Sequence, residues 1–187
     1  MRRYMPLLLL VSLYGCGTVH TTTPLGSAPF ALDPEAWNGR WCSPAVLTSV
    51  ATTAGESESP DHCLTLTVVD PAAGVMDVVL PEDPPEYARV HLGRVPGDDE
   101  SALASTEGKG DYELVGRIRR EGPLVLWWDA RASAFCDEVD GGRLPGHTEK
   151  GDVWLEPLDE AAVARIARDE HSVLFDWQSP EVLVRAR

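Results

Sequence analysis

The chain has 187 residues, with 16 Lys and Arg against 30 Asp and Glu and a formal charge of −14. A surface this negative repels phosphate backbones and anionic headgroups, which excludes nucleic-acid binding and peripheral adhesion to acidic membranes but leaves a basic partner open. The length suits one domain closing a single hydrophobic core.

Arg2 and Arg3 precede the apolar run Met5-Pro-Leu-Leu-Leu-Leu-Val-Ser-Leu13, which turns polar directly after Cys16. That run is short of the ~20 apolar residues of a membrane span and reads as an export signal. Its end, Leu13-Tyr14-Gly15-Cys16, resembles the lipobox of bacterial lipoproteins, with Tyr14 larger than the residue usual at its position. The resemblance implies cleavage after residue 15, acyl chains on Cys16 and a cell-envelope protein moored to a membrane. Gly17, where Asp is absent, implies the outer membrane. Several acyl chains on one sulfur hold a protein firmly where a single chain does not.

Removal of residues 1–15 leaves 172 residues and takes the formal charge to −16. Residues 16–34, rich in Thr, Pro, Gly and Ser, are expected to form a flexible tether spanning ~20–25 Å. A single domain is expected over 35–187. Cys42, Cys63 and Cys136 remain after Cys16, and an oxidising compartment permits one bridge among them. Cys42 with Cys63, across the first two strands, is the pairing expected, although sequence alone does not fix connectivity.

Cys63 to Val69 and Val75 to Leu80 flank the turn Asp70-Pro-Ala-Ala-Gly74 and read as a hairpin. Tyr87 to Val95 alternates, with Ala88, Val90 and Leu92 on one face. Pro96 to Gly110 reads as an acidic loop. Tyr112 to Ile118 and Leu124 to Trp128 form a second hairpin, and Ala130 to Lys150 reads as another loop. Asp152 to Glu156 is a short strand before a helix that Asp159 caps, with Leu158, Ala162, Val163 and Ile166 in one stripe. Val173 to Trp177 and Val182 to Ala186 read as closing strands. Seven or eight short strands with one helix in the C-terminal half predict a mainly β protein, an antiparallel barrel or a sandwich.

Trp37-Asn-Gly-Arg-Trp41 opens that pattern and resembles the Gly-x-Trp start of lipocalin-like, or calycin, barrels. The resemblance implies that Gly39 and Trp41 close one end of the barrel, with Arg185 or Arg187 packing across. The later Thr-Asp-Tyr motif of that family is absent, Gly110-Asp-Tyr112 being a fragment of it.

Catalytic patterns are sparse. His62 and Cys63 are adjacent, so on a strand they point to opposite faces and do not form a nucleophile–base pair. His20, His62, His91, His147 and His171 fall in no zinc-binding spacing, and Asp137, Glu138 and Asp140 miss the calcium-loop spacing. No metal, cofactor or catalytic residue is expected. Trp127 and Trp128 are consecutive on a strand, so one faces outward or into the barrel mouth, where with His91 it could meet a ligand. Two readings follow: a non-enzymatic barrel holding a small apolar or amphipathic molecule, or an acidic interaction protein or inhibitor docking a basic protein.

Overall fold

The computed structural model describes residues 17–44, 63–82 and 84–186. In chain order the elements are β1 (Val19–Thr21), α1 (Pro34–Trp37), β2 (Gly39–Cys42), β3 (Cys63–Asp70), β4 (Val75–Leu80), β5 (Glu86–Val95), β6 (Asp98–Glu107), β7 (Tyr112–Glu121), β8 (Leu124–Asp129), α2 (Ala132–Asp140), β9 (Gly146–Glu149), β10 (Asp152–Leu155), α3 (Glu160–Arg168) and β11 (Glu181–Arg185).

Strands β2 to β8 form an antiparallel meander. β11 returns between β8 and β2, and β6 pairs with β7, so eight strands close into a barrel rather than a sandwich. Alternation explains the closure: Leu64 and Leu66, Met76 and Val78, Val90 and Leu92, Ala102 and Ala104 all turn to one interior and are buried there. Closure leaves the barrel without an open edge. The expected hairpins are present, and the Asp70 carboxylate fixes the first turn by accepting from the backbone N–H of Ala72 and Ala73.

Several expectations need correction. The tether is not free over residues 19–34. β1 pairs parallel with β10 and antiparallel with the start of β7, and Val19, Leu25 and Leu32 are buried. Residues 27–30 hydrogen-bond to β5 beyond the reach of β4, through Ser27 N to Arg94 O and Phe30 N to Leu92 O. That approach requires Gly93, because a Cβ there would lie 1.8 Å from the Leu25 carbonyl oxygen. The packed part of the chain therefore starts well before residue 35.

The acidic loop expected over 96–110 is mostly strand β6. Its inner face carries Ala102, Ala104 and Thr106, and its outer face Ser101, Leu103 and Ser105, all buried. Small residues suit a strand covered on both sides, and they erase the polar–apolar alternation that marks a half-exposed one. The loop expected over 130–150 contains α2 and β9. Helices therefore number three among the described residues, not one, and Val173 to Trp177 makes only an isolated bridge, Ala130 with Phe175.

These additions build a second core outside the barrel wall. β1, β10 and β9 extend the sheet from β7; α2 packs on β9 and β10, α3 lies against β5, and Phe135, Val139, Val163 and Ile166 join in one apolar cluster. Asp159 caps α3 as expected, its carboxylate accepting from Ala162 N at 2.7 Å. Arg117 on β7 ties that layer to the wall: its guanidinium donates to Ala167 O and to Asp98 Oδ2, each at 2.7 Å, and lies 5.1 Å from the Trp177 ring centre.

Candidate functional site

The two barrel ends differ. At one end α1, with Pro34 in its first turn and Asp33 accepting from Glu35 N, lays Trp37 over the opening. Trp41 lies beneath it, with no exposed surface, and its indole N–H donates to the Trp37 carbonyl at 2.9 Å. Arg185 pairs in register with Trp41, and its guanidinium donates to Asn38 O at 2.7 Å. Gly39 sits at φ +142, and a Cβ there would come within 3.3 Å of Arg185 Nε. Glycine is favoured there by backbone conformation, and an added Cβ would press on the arginine above it. Gly39, Trp41 and Arg185 meet at the closed end, and the arginine serves the backbone carbonyl there.

The opposite end holds the candidate site. The Cys42–Cys63 disulfide joins the end of β2 to the start of β3 there. Below it a slot of about 30 Å³ enters the interior, lined by Leu64, Met76, Val90, Ile118, Trp127, Leu183 and their neighbours. Every lining side chain is apolar except Thr106. The space is about a fifth of the ~150 Å³ cavity that accepts benzene.

Two carboxyls flank Trp127. Asp129, two residues along on the same face, accepts its indole N–H at 2.8 Å. Glu181 pairs with Trp127 in the β8–β11 register, so its side chain turns the same way, and its Oε2 is buried without a hydrogen bond. Burial raises the Glu181 pKa, and the Asp129 charge adds to the effect. Burial also raises Asp129; the Trp127 hydrogen bond opposes this and Asp176 reinforces it. Both residues escaped sequence reasoning, although the period of two that puts Trp127 inside also puts Asp129 there.

The other expected residues lie elsewhere. Trp128 turns out of the barrel and packs on Trp177 with ring centres 5.2 Å apart. His91 lies between the inward Val90 and Leu92, faces outside, and has Nε2 2.7 Å from Glu107 and Tyr112 edge-on to its ring. Neither lines the slot. His20 stacks on Trp154 and contacts Asp111, and His147 flanks the same indole. Cys63 carries no free thiol. Cys136 does, but burial and the charges of Asp140, Asp137 and Asp152 raise its pKa, which suppresses the reactive thiolate. Glu138 is engaged by Arg143 and Asp140 by Thr148, and no group of three or more metal-ligating side chains gathers among the described residues. Cys16, Asp61, His62 and Arg187 lie outside the described residues.

No protein-family model, curated protein or solved structure matches the chain.

Proposed function

We propose that the protein is a lipid-anchored cell-envelope member of the lipocalin-like class that binds a small amphipathic molecule without transforming it. The observation that carries this reading is the slot: an apolar channel at one end of a barrel whose other end is stopped by Trp37 and Trp41. Binding pockets are apolar concavities with few, placed polar groups, and Trp127 with Asp129 and Glu181 supplies such a rim. At about 30 Å³ the slot is far below the ~300 Å³ of an ordinary ligand pocket, so the guest is a thin chain that enters by displacing a side chain. Met76, unbranched and buried against the slot, is the side chain suited to move. The mooring rests on Leu13-Tyr14-Gly15-Cys16, which supports acylation of Cys16 and an outer-membrane address.

Mass spectrometry of the protein extracted from its native membranes tests both parts. Acyl mass on Cys16 and a co-purifying amphiphile are expected. A Cys16→Ser variant that partitions with membranes as the parent does would overturn the mooring. Recovery without any small molecule, together with Trp127 emission unmoved by added alkyl amphiphiles, would overturn the ligand reading.

The narrowness of the slot favours a second reading, in which the acidic exterior docks a basic protein. Capture of a basic partner that weakens with added salt, by protein whose slot is filled by Val78→Phe, would select it.

A further inference from the structure

We infer that the open end of the barrel selects amphiphiles whose head is a protonated amine, a proposal that rests on the ligand-binding reading above. Three observations carry it. The apolar slot ends at Trp127, whose N–H holds Asp129 at the rim by a 2.8 Å hydrogen bond. Directly across the β8–β11 ladder, Glu181 presents a buried Oε2 that accepts no hydrogen bond, so an acceptor is already withdrawn from water and lacks a donor. Asp176 adds its charge to Asp129, and Asp129 to Glu181, so a cation held between Asp129 and Glu181 would relieve both.

Toward the slot the strand ends and turns also carry Glu82 and Glu86, while Glu107 and Asp111 are engaged by His91 and His20. At the closed end stand Arg94, Arg119 and Arg185, each with an acceptor at its guanidinium. Those acceptors include Asp99 and Glu100, and Lys109 stands in the turn between Glu107 and Asp111, so what sets the mouth apart is local: Asp129 held by Trp127, and the Glu181 Oε2 without a donor. An alkyl chain in the slot would place its first polar atom beside Trp127, within the reach of Asp129 and Glu181. An ammonium there donates to the orphaned Oε2 and neutralises the rim; a carboxylate adds a further like charge. Raised carboxyl pKa values agree with a site in want of a cation.

The test is a chain-matched series. Octylammonium, octanoate and octanol are titrated into the full-length protein at pH 7, with Trp emission and calorimetry as readouts and Trp127→Phe as the control for location. The amine is expected to bind about tenfold or more tightly than octanoate, with octanol between. Glu181→Gln and Asp129→Asn, each checked by its melting curve, should shrink the preference for the amine over octanol at least threefold. Octanoate binding as well as the amine would overturn the inference and leave the ligand reading intact; failure of all three to bind would overturn both. Should either variant not fold, the ionic-strength dependence of the parent decides: an amine preference that 0.5 M salt does not reduce overturns the role of the carboxylates.

Discussion

The wall of the barrel separates two cores built on opposite rules. Inside, side chains come from strands that pair with their sequence neighbours, the lining is almost wholly apolar, and about 30 Å³ is left unfilled. Outside, β1 lies against β10, α2 packs on β9 and β10, α3 lies against β5, and the packing is threaded by Arg117, by Asp98 and by Asp169, which accepts the Trp177 indole N–H. β6, β7 and the end of β5 belong to both, whereas β3, β4 and the start of β5 carry solvent-facing groups such as Val69, Tyr87 and the Arg89–Asp77 pair. The difference separates scaffold from adaptable part. Within the apolar interior of the barrel, the slack lies on the inner face near the mouth.

The sharpest way to break this comparison is to hollow out the outer core. Phe135 has no exposed surface and meets Phe175 edge-on at 6.2 Å. Phe135→Ala should lower unfolding free energy by about 3–5 kcal/mol in a urea titration while leaving amphiphile affinity unchanged. A loss under ~1 kcal/mol would show that the outer layer is ornament on a self-sufficient barrel.

Next comes the mouth. The Cys42–Cys63 bridge spans 21 residues in sequence. Replacing both cysteines by serine should cost about 3 kcal/mol through the unfolded state, measured as a fall in the urea midpoint. An unaltered midpoint would mean that the bridge constrains neither state.

Filling tests the slack itself. Val78→Ile adds one methylene to the slot lining and should be neutral or stabilise by up to ~1 kcal/mol, whereas Val153→Ile adds the same group to the fully packed outer core and should cost about 1–3 kcal/mol. Equal effects at the two sites would erase the distinction in packing.

Most of the inner core was legible in the sequence, but of the outer one only β10 and the α3 stripe capped by Asp159, and a physical reason accounts for what was missed. Tyr87 to Val95 has one wet face, so its alternation is visible; β6, Asp-Asp-Glu-Ser-Ala-Leu-Ala-Ser-Thr-Glu, is buried on both faces and built from small residues, so it imitates a loop. α2 lacks a side-chain cap at Arg131 and ends on acidic residues that oppose its dipole, which hid a real stripe of Ala132, Phe135 and Val139. β1 is three residues whose place depends on β10, far along the chain, and no local pattern announces such a partner. At the closed end Gly39, Trp41 and Arg185 were readable from their resemblance. At the mouth the sequence offered Trp127 and Trp128 as a pair, but which of them turns inward, and which carboxyls stand beside it, depends on the facing strand.

The smallest expected effect distinguishes the two regions by the sign of their response to acid. Burial tends to raise the Asp98 pKa, but hydrogen bonds from Ser101 and Glu100 N, with the Arg117 guanidinium, outweigh it and hold Asp98 at about 2. The unfolded carboxyl, near 3.8, takes up its proton first. Stability from Asp98 is thus complete above pH ~4–5 and is lost as the pH falls through about 4 toward 2. Its side chain is 29% exposed, so solvent screening reduces the contribution to about 1–2 kcal/mol. Asp129 and Glu181 act the other way: their raised values mean that the folded state binds the proton more tightly, so their ionisation costs stability as the pH rises. Urea midpoints of Asp98→Asn should fall at pH 7 and converge on the parent near pH 2. Those of Glu181→Gln should equal or exceed the parent at pH 7 and converge below pH ~4. Parallel curves for the two variants would mean that mouth and outer core share one electrostatic environment, and the division between them would lose its basis.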